Sequence, residues 1–336
     1  MVARMVSVTV LIALLLAGVL PGVAQSPLAR IVVSQGFINV IPLGFWVARE
    51  RAFFRKYGVD VQIVNFRGST QATQALIGGQ VDMDMASAPQ FFNAVAAGVD
   101  LVDFATLGPS MPYLLVARSG FHSPQELRGK RLGTAGQGIT LAQLAEMIVL
   151  KHFGIDPLKD VTYMAIGPEP DRIAALEKGL IDATVFGAEF RPQIEGSGLQ
   201  VMADLAQLNL PWEHDFMEAN RSYLQSHHDV VVNFLKGLLE ANAYVLNPQN
   251  KQFVMRIIAE NLHLSTVAAA ELSYTLARRL FIRQKPYPNV RGLEEMLAFM
   301  KTAAPDTAKL RVSTLVDDSI LRSLDRSGWI DSLYKR

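Results

Sequence analysis

Two loops of this chain join glycine to hydroxyl side chains where a helix should begin: Gly68-Ser69-Thr70 and Gly136-Gln137-Gly138-Ile139-Thr140. Glycine lets a backbone come close to a ligand, and a helix start offers unpaired N–H groups and a partial positive charge. Ser69, Thr70, Gly136, Gln137, Gly138 and Thr140 could thus cradle a carboxylate, a sulfonate or another oxyanion. Arg67, beside the first loop, offers that ligand a cation. Glu169 and Glu189 argue the other way, because two acids suit a cationic or donor-rich ligand. Phe37, Trp46 and Trp212 offer rings to a planar one. Each has a plainer reading beside it. The loops could simply cap surface helices, Arg67 could be solvated, and the acids could sit at helix N-termini. The rings could be core, Trp46 above all, whereas Phe37 stands in a loop next to Gly36.

Motifs for covalent or metal chemistry are missing. There is no G-x-S-x-G nucleophile elbow, no H-E-x-x-H, no phosphate-binding P-loop and no G-x-G-x-x-G, since Gly136-Gln137-Gly138 lacks a third glycine. Of the histidines only His227 and His228 are adjacent, and neighbours do not share a helix face. His214 lies among Trp212, Glu213 and Asp215 and reads as part of a chain crossing rather than a metal ligand. With zero cysteines there are no disulfides, thiolate metal sites or lipidated cysteines. The expectation is therefore a binding protein with no catalytic residues, no resident metal and no cofactor.

These residues need elements to hold them. Arg30–Gln35, Val59–Asn65, Asp82–Ala86, Leu101–Leu107 and Tyr113–Ala117 read as strands, interleaved with helices at Pro42–Tyr57, from Ser69 to Ile77, and at Gln90–Ala97. A second round follows, with strands at Arg131–Thr134, Val161–Ile166, Ala183–Phe186 and Leu199–Met202 and helices at Thr140–Phe153 and Asp171–Lys178. Strands alternating with helices imply βαβ units, hence an α/β fold with parallel sheets. The rounds resemble each other: ALIGGQVD at 75–82 matches ALEKGLID at 175–182. Two similarly built lobes follow from that. After residue 215 the pattern turns helical, at Ser222–Leu246, Lys251–Leu262, Thr266–Phe281 and Gly292–Thr302. This block lacks a sheet of its own and should pack on the first lobe. The expected division is residues 25–117 with 216–336 as lobe 1 and 118–215 as lobe 2. The two crossovers are then near Arg118–Gly120 and Asp215–Asn220. Ligands of open α/β sheets lie beyond the carboxyl ends of strands. The loops to watch are therefore Gly36-Phe37-Ile38-Asn39, Arg67 to Thr70, Ser87-Ala88-Pro89, Gly136 to Thr140, Gly167-Pro168-Glu169 and Phe186 to Glu189.

Composition narrows the class further. The chain has 336 residues, half of them apolar, which is enough for two cores. Lys plus Arg number 32 against 31 for Asp plus Glu, leaving no basic footprint for nucleic acid. Residues 1–24 read as a signal peptide: Arg4, an apolar run from Val6 to Leu20, then Gly22-Val23-Ala24 as the cleavage site. The expectation is export to the periplasm by a cleaved leader, not a lipoprotein. An uncleaved anchor is the rival reading.

Taken together, several stretches resemble one family. ARERAFFRKYGVDV at 48–61 is similar to its A-x-x-x-G-F-F-x-x-x-G-L-x-V pattern, with Ala52 where glycine is usual. ALIGGQVDMDMASAP at 75–89, ELRGKRLGTAGQGI at 126–139, FGIDPLKDVTYMAIG at 153–167 and AALEKGLIDATVF at 174–186 follow in the family's order. The chain resembles the substrate-binding proteins of ABC importers in the nitrate/taurine/alkanesulfonate and NMT1/THI5-like group. It departs at Phe186-Gly187-Ala188-Glu189, where a proline is common. The resemblance implies a type II periplasmic-binding-protein fold, with two α/β lobes, a ligand cleft and two crossovers. It also implies a monomer that delivers a small molecule to an ABC permease: a sulfonate, a nitrate-like ion, a carboxylate or a planar heterocycle. Residues expected at the ligand are Gly36, Phe37, Asn39, Arg67, Gly68, Ser69, Ser87, Ala88, Gly136, Gln137, Gly138, Thr140, Glu169 and Glu189. Two alternatives stay open. One is an enzyme on the same fold, either hydrolytic or like the thiamin-pyrimidine synthases. As the resemblance implies, those synthases depend on a cysteine-containing stretch and are cytosolic. The other is a ligand-binding sensor or adaptor domain.

Overall fold

Short apolar runs pair into two sheets, and Met83–Ser87, Leu101–Thr106, Tyr113–Ala117, Ala183–Gly187 and Asp215–Asn220 are buried along almost their whole length. The computed structural model describes residues 27–136 and 138–335; the proposed leader and Gln137 lie outside the described residues. Ten strands are used here: β1 (Ala29–Gln35), β2 (Val59–Asn65), β3 (Met83–Ser87), β4 (Leu101–Thr106), β5 (Tyr113–Ala117), β6 (Lys130–Thr134), β7 (Val161–Ala165), β8 (Ala183–Gly187), β9 (Gln200–Asp204) and β10 (Asp215–Asn220). They form two five-stranded sheets in the orders β2-β1-β3-β10-β4 and β7-β6-β8-β5-β9. The expected α/β fold with two lobes is present. In the first sheet β1 runs parallel to β2 and β3, while β10 runs antiparallel to β3 and β4. In the second sheet β6 runs parallel to β7 and β8, while β5 runs antiparallel to β8 and β9. The fourth place in each sheet thus goes to a strand that arrives from the other lobe.

This exchange corrects the expected division. Tyr113–Ala117 pairs with β8 and β9, so it belongs to the second lobe, and the first crossing lies in residues 107–112 rather than at Arg118–Gly120. Arg118 sits beyond β5 and donates to Asp182 Oδ1 at 3.0 Å, inside the second lobe. A buried apolar strand carries no mark of which sheet it joins, so the pattern could not place it. The second crossing lies in residues 205–214, ahead of β10.

The internal match is structural. Asp82 Oδ2 accepts from the Val32 N–H at 2.7 Å, and Asp182 Oδ2 accepts from the Arg131 N–H at 3.0 Å. Each aspartate fastens the start of one strand to the first part of its neighbour. The helix stops preceding them agree too. Gly79 and Gly179 both take left-handed backbone, at φ 68° and 67°, as a glycine C-cap requires.

The helices depart from expectation in several places. Pro42–Tyr57 splits into Leu43–Glu50 and Phe53–Lys56 around Ala52, whose φ is +56°. The C-terminal block packs on the first lobe and reaches beyond it. Helix His228–Leu246 lies on Leu43–Lys56, where Phe234 stacks on Phe54 at 5.5 Å and Gly237 admits the Phe54 ring. Helix Val290–Ala303, however, packs against Ala88–Ala96 of the first lobe and Leu141–His152 of the second, and one apolar core runs through all three. Among the described residues no helix is long and apolar enough to cross a membrane.

The first sheet buries an unusual set of acids. Glu218 on β10 lies opposite Asp84 on β3 and Asp103 on β4. Asp84 accepts from Ser34 Oγ at 2.8 Å and Thr73 Oγ1 at 3.2 Å; Asp103 Oδ1 accepts from the Ala105 N–H at 3.1 Å. Glu213 accepts from Thr106 Oγ1 and from the Asn289 N–H. Burial pushes Asp84 up to about 7 and Glu213 up to about 8, and lifts Asp103, Asp215 and Glu218 well above the carboxylate range. Arg283 offsets part of this at Glu213. The fold therefore holds protons that the unfolded chain releases. Their stabilisation is complete below the ordinary carboxylate range and is lost as pH rises toward about 8. Thermal unfolding should show a Tm that falls from pH ~5 to pH ~8. Glu218→Gln, which keeps the shape and removes the ionisation, should flatten that slope; an unchanged slope would take Glu218 out of the cause.

A second expectation concerns Ala52. It is exposed and left-handed, a conformation costing an L-residue roughly 1–2 kcal/mol. Ala52→Gly relieves that cost without removing a contact, so denaturant titration should show unchanged or greater stability. A loss above ~1 kcal/mol would mean the strain is absent.

Candidate functional site

The lobes meet around a cavity of about 580 Å³. Phe37 to Ile41, the loop after β1, forms its first-lobe wall. Glu169, after β7, and Gly187 to Phe190, around the end of β8, form the second-lobe wall. Pro112, Tyr113 and His214 bring both crossovers to the cavity, and Leu276, Leu280 and Phe281 close it from the C-terminal block. The position follows from the topology. Both sheets aim the carboxyl ends of their parallel strands at the same gap, where open α/β sheets bind ligands.

Each polar wall residue is held by its own element. Gln35 Nε2 donates to the Phe37 carbonyl at 3.0 Å, and Asn39 Oδ1 accepts from the Ile41 N–H at 3.0 Å, which shapes the first loop. Glu169 opens the helix Glu169–Glu177, and its Oε1 accepts from Arg172 Nη2 at 2.8 Å. Arg172 is 1% exposed and also donates through Nη1 to the Val185 carbonyl at 2.9 Å and Thr184 Oγ1 at 3.2 Å. Its guanidinium lies 5.2 Å from the centre of the Phe186 ring.

Glu189 is placed differently. A Cβ on Gly187 would stand 2.5 Å from both of its carboxylate oxygens, so the bare glycine makes room for them. The side chain is exposed within the cavity, yet the surrounding walls strip part of its hydration. That burial, with the nearby Glu169, pushes its carboxyl up. Burial, with Asp215, Glu189 and Glu169 nearby, lifts the Tyr113 phenol well above its usual range. Burial holds His214 down at about 3, so its ring is neutral. Its Nδ1 accepts from Trp212 Nε1 at 3.2 Å, and its ring faces Tyr113 at 5.4 Å and Phe281 at 5.9 Å.

Of the residues expected at a ligand, Phe37, Asn39, Glu169 and Glu189 share this cavity. Gly36 lies just beside it, where its missing side chain lets Gly68 and Ser69 approach: a Cβ would meet Ser69 N at 2.3 Å. The other described ones do not line it. Arg67 is exposed. Gly68 caps helix Ser69–Ile77 with φ +106°, and Ser69 is the first residue of that helix. Ser87 and Ala88 are buried, with Ser87 Oγ donating to Gln90 Oε1 at 2.5 Å. Gly136 accepts from Thr134 Oγ1 at 2.9 Å, and Gly138 turns the loop with φ +82°. Thr140 caps helix Leu141–His152 by accepting from the Gln143 N–H at 3.1 Å. Thr140 Oγ1 is thus committed to a helix start, while Gly68 stands at another without a side-chain cap bond. Trp46 and Trp212 are core. Sequence reading missed Tyr113, Phe190, Phe281 and the buried Arg172. The one available signal was the Glu169-x-x-Arg172 spacing, which puts both on one helix face. Among the described residues no cluster of three His, Asp or Glu side chains could hold a metal ion.

The pattern of the family described as NMT1/THI5 like matches residues 40–251. The bicarbonate transport ATP-binding protein CmpC of Synechocystis sp. is 23% identical over 268 residues, 73% of this chain and 39% of that protein. A 4-amino-5-hydroxymethyl-2-methylpyrimidine phosphate synthase of Saccharomyces cerevisiae, THI13, is 28% identical over 153 residues, 45% of this chain and 43% of its own. This chain therefore spans well under half the length of either. Among solved structures, the periplasmic aliphatic sulphonate binding protein SsuA of Escherichia coli superposes with a TM-score of 0.71 at 17% identity, covering 86% of this chain and 92% of that one. The shared architecture is that of periplasmic binding proteins.

The contact at Gly36 sets the first wall. Gly36→Ala should force the Gly68-Ser69 backbone away and lower Tm by several degrees, as overpacking costs about 1–3 kcal/mol. An unchanged Tm would show that the two loops are not fixed against each other.

Proposed function

The chain belongs to the NMT1/THI5-like family, and on that premise we propose that it captures one small molecule between its lobes and hands it, chemically unchanged, to an ABC permease. The observation that carries this reading is the cavity: about 580 Å³, walled by both lobes and by both crossovers. That size suits a small organic ligand. The likeness to SsuA, described as a sulphonate binding protein, supports the carrier role, as does the signal-like segment at residues 1–24, which favours the periplasm. Cargo at ~1 μM affinity needs only about −8 kcal/mol net. Residues 107–112 and 205–214, the two crossings, act as the hinges that let the lobes close. The synthase likeness, over 45% of the chain, keeps an enzymatic reading on the table. It has less behind it, because the chain lacks cysteine and the nucleophile motifs.

A thermal-shift panel of oxyanions, aromatic acids and heterocycles should yield compounds that raise Tm. Scattering with a bound compound should show a smaller radius of gyration, and mass spectrometry after hours should recover it intact. Conversion of the compound would sink the carrier reading in favour of an enzyme.

A further inference from the structure

The charge of the cavity says what kind of cargo it accepts, an inference that rests on the carrier reading above. Among the described residues lining the cavity there is no lysine and no arginine. The guanidinium just behind the second wall, Arg172, is buried and commits both terminal nitrogens to Glu169, Val185 and Thr184. The remaining ring nitrogens belong to His214, which is neutral. Glu189 therefore faces the cavity with no cationic partner on its walls, its carboxylate lying where a side chain at residue 187 would stand. Glu169 adds a second acid on the same wall, with one oxygen held by Arg172. Flat apolar surface surrounds them: Phe37 on one lobe, Phe190 on the other and Phe281 from the C-terminal block.

We propose that the cargo is an organic cation with a flat apolar body, of the amidinium, guanidinium or ring-ammonium kind, whose charged end pairs with Glu189 while its body lies among Phe37, Phe190 and Phe281. An amidinium presents two parallel N–H donors to a carboxylate, the strongest geometry for such a pair, and rings beside a cation add to it. An oxyanion placed there meets a carboxylate and finds no cation on the walls to offset it, which disfavours the sulfonate and nitrate classes for this cavity. Bound cargo would supply the counter-charge that the cavity walls withhold from Glu189.

Three isosteric probes separate the charge classes: benzamidinium, neutral benzamide and benzoate, each titrated calorimetrically and by thermal shift into the purified protein. Benzamidinium should raise Tm and bind at least ~10-fold tighter than benzamide, and benzoate should not bind. Glu189→Gln should erase the preference for benzamidinium over benzamide while leaving the Tm of the empty protein unchanged or higher. Gly187→Ala, which displaces the carboxylate without removing it, should weaken benzamidinium alone. Benzoate binding as tightly as benzamidinium, or an unaltered preference in Glu189→Gln, overturns the charge assignment. If Phe37→Ala then weakens whichever probe binds, the carrier reading stands and only the charge class has failed. If none of the three binds at millimolar concentration, the aromatic-cation proposal falls. A sulfonate or heterocycle from the wider panel that is lost in Phe37→Ala would still keep the cavity as the cargo site.

Discussion

The fold turns on one constraint: each sheet is completed by a strand that the other lobe sends across. β5 leaves the first lobe to sit between β8 and β9, and β10 returns to sit between β3 and β4. Both are antiparallel to their neighbours, so each enters its sheet at the end where the parallel strands finish. That is why both crossings run past the same gap, and why Pro112, Tyr113 and His214 line it. Besides the two short crossings, helix Val290–Ala303 joins the lobes through a shared apolar core.

Charge is distributed unevenly around that frame. The first sheet buries Asp84, Asp103 and Glu218 side by side, and its members escape like-charge repulsion only by keeping protons. The second lobe instead buries a cation, Arg172, and satisfies it with a carboxylate, a carbonyl and a hydroxyl. That guanidinium neutralises Glu169 from behind and leaves Glu189 as the unmatched charge on the wall. Ion pairs of this kind add less to stability than to placement, since desolvation cancels much of their attraction.

The residues of the site were legible in part. Glu189 and Phe37 could be singled out because an acid and a ring beside glycines, just after predicted strands, have little to do in a core. The glycine-hydroxyl loops carried an equally good local signal for oxyanion binding, but their described residues do not line the cavity, and Thr140 Oγ1 caps a helix start. A capping hydroxyl and a ligand-binding hydroxyl look the same in one dimension. Tyr113 and His214 were invisible as wall residues because they are distant in sequence and meet only when two crossings converge.

By itself the sequence determined the classes of its elements, the two-lobe repeat and the helix stops. Each of these depends on neighbours a few residues apart, as with Gly79 and Gly179 or Asp82 and Asp182. Only the tertiary structure decided which sheet receives Tyr113–Ala117, that Val290–Ala303 bridges the lobes, and that Glu189 rather than Arg67 faces the cavity. Those outcomes follow from pairing and packing between segments up to two hundred residues apart. An apolar strand or an amphipathic helix fits several partners equally well until the rest of the chain has claimed the others.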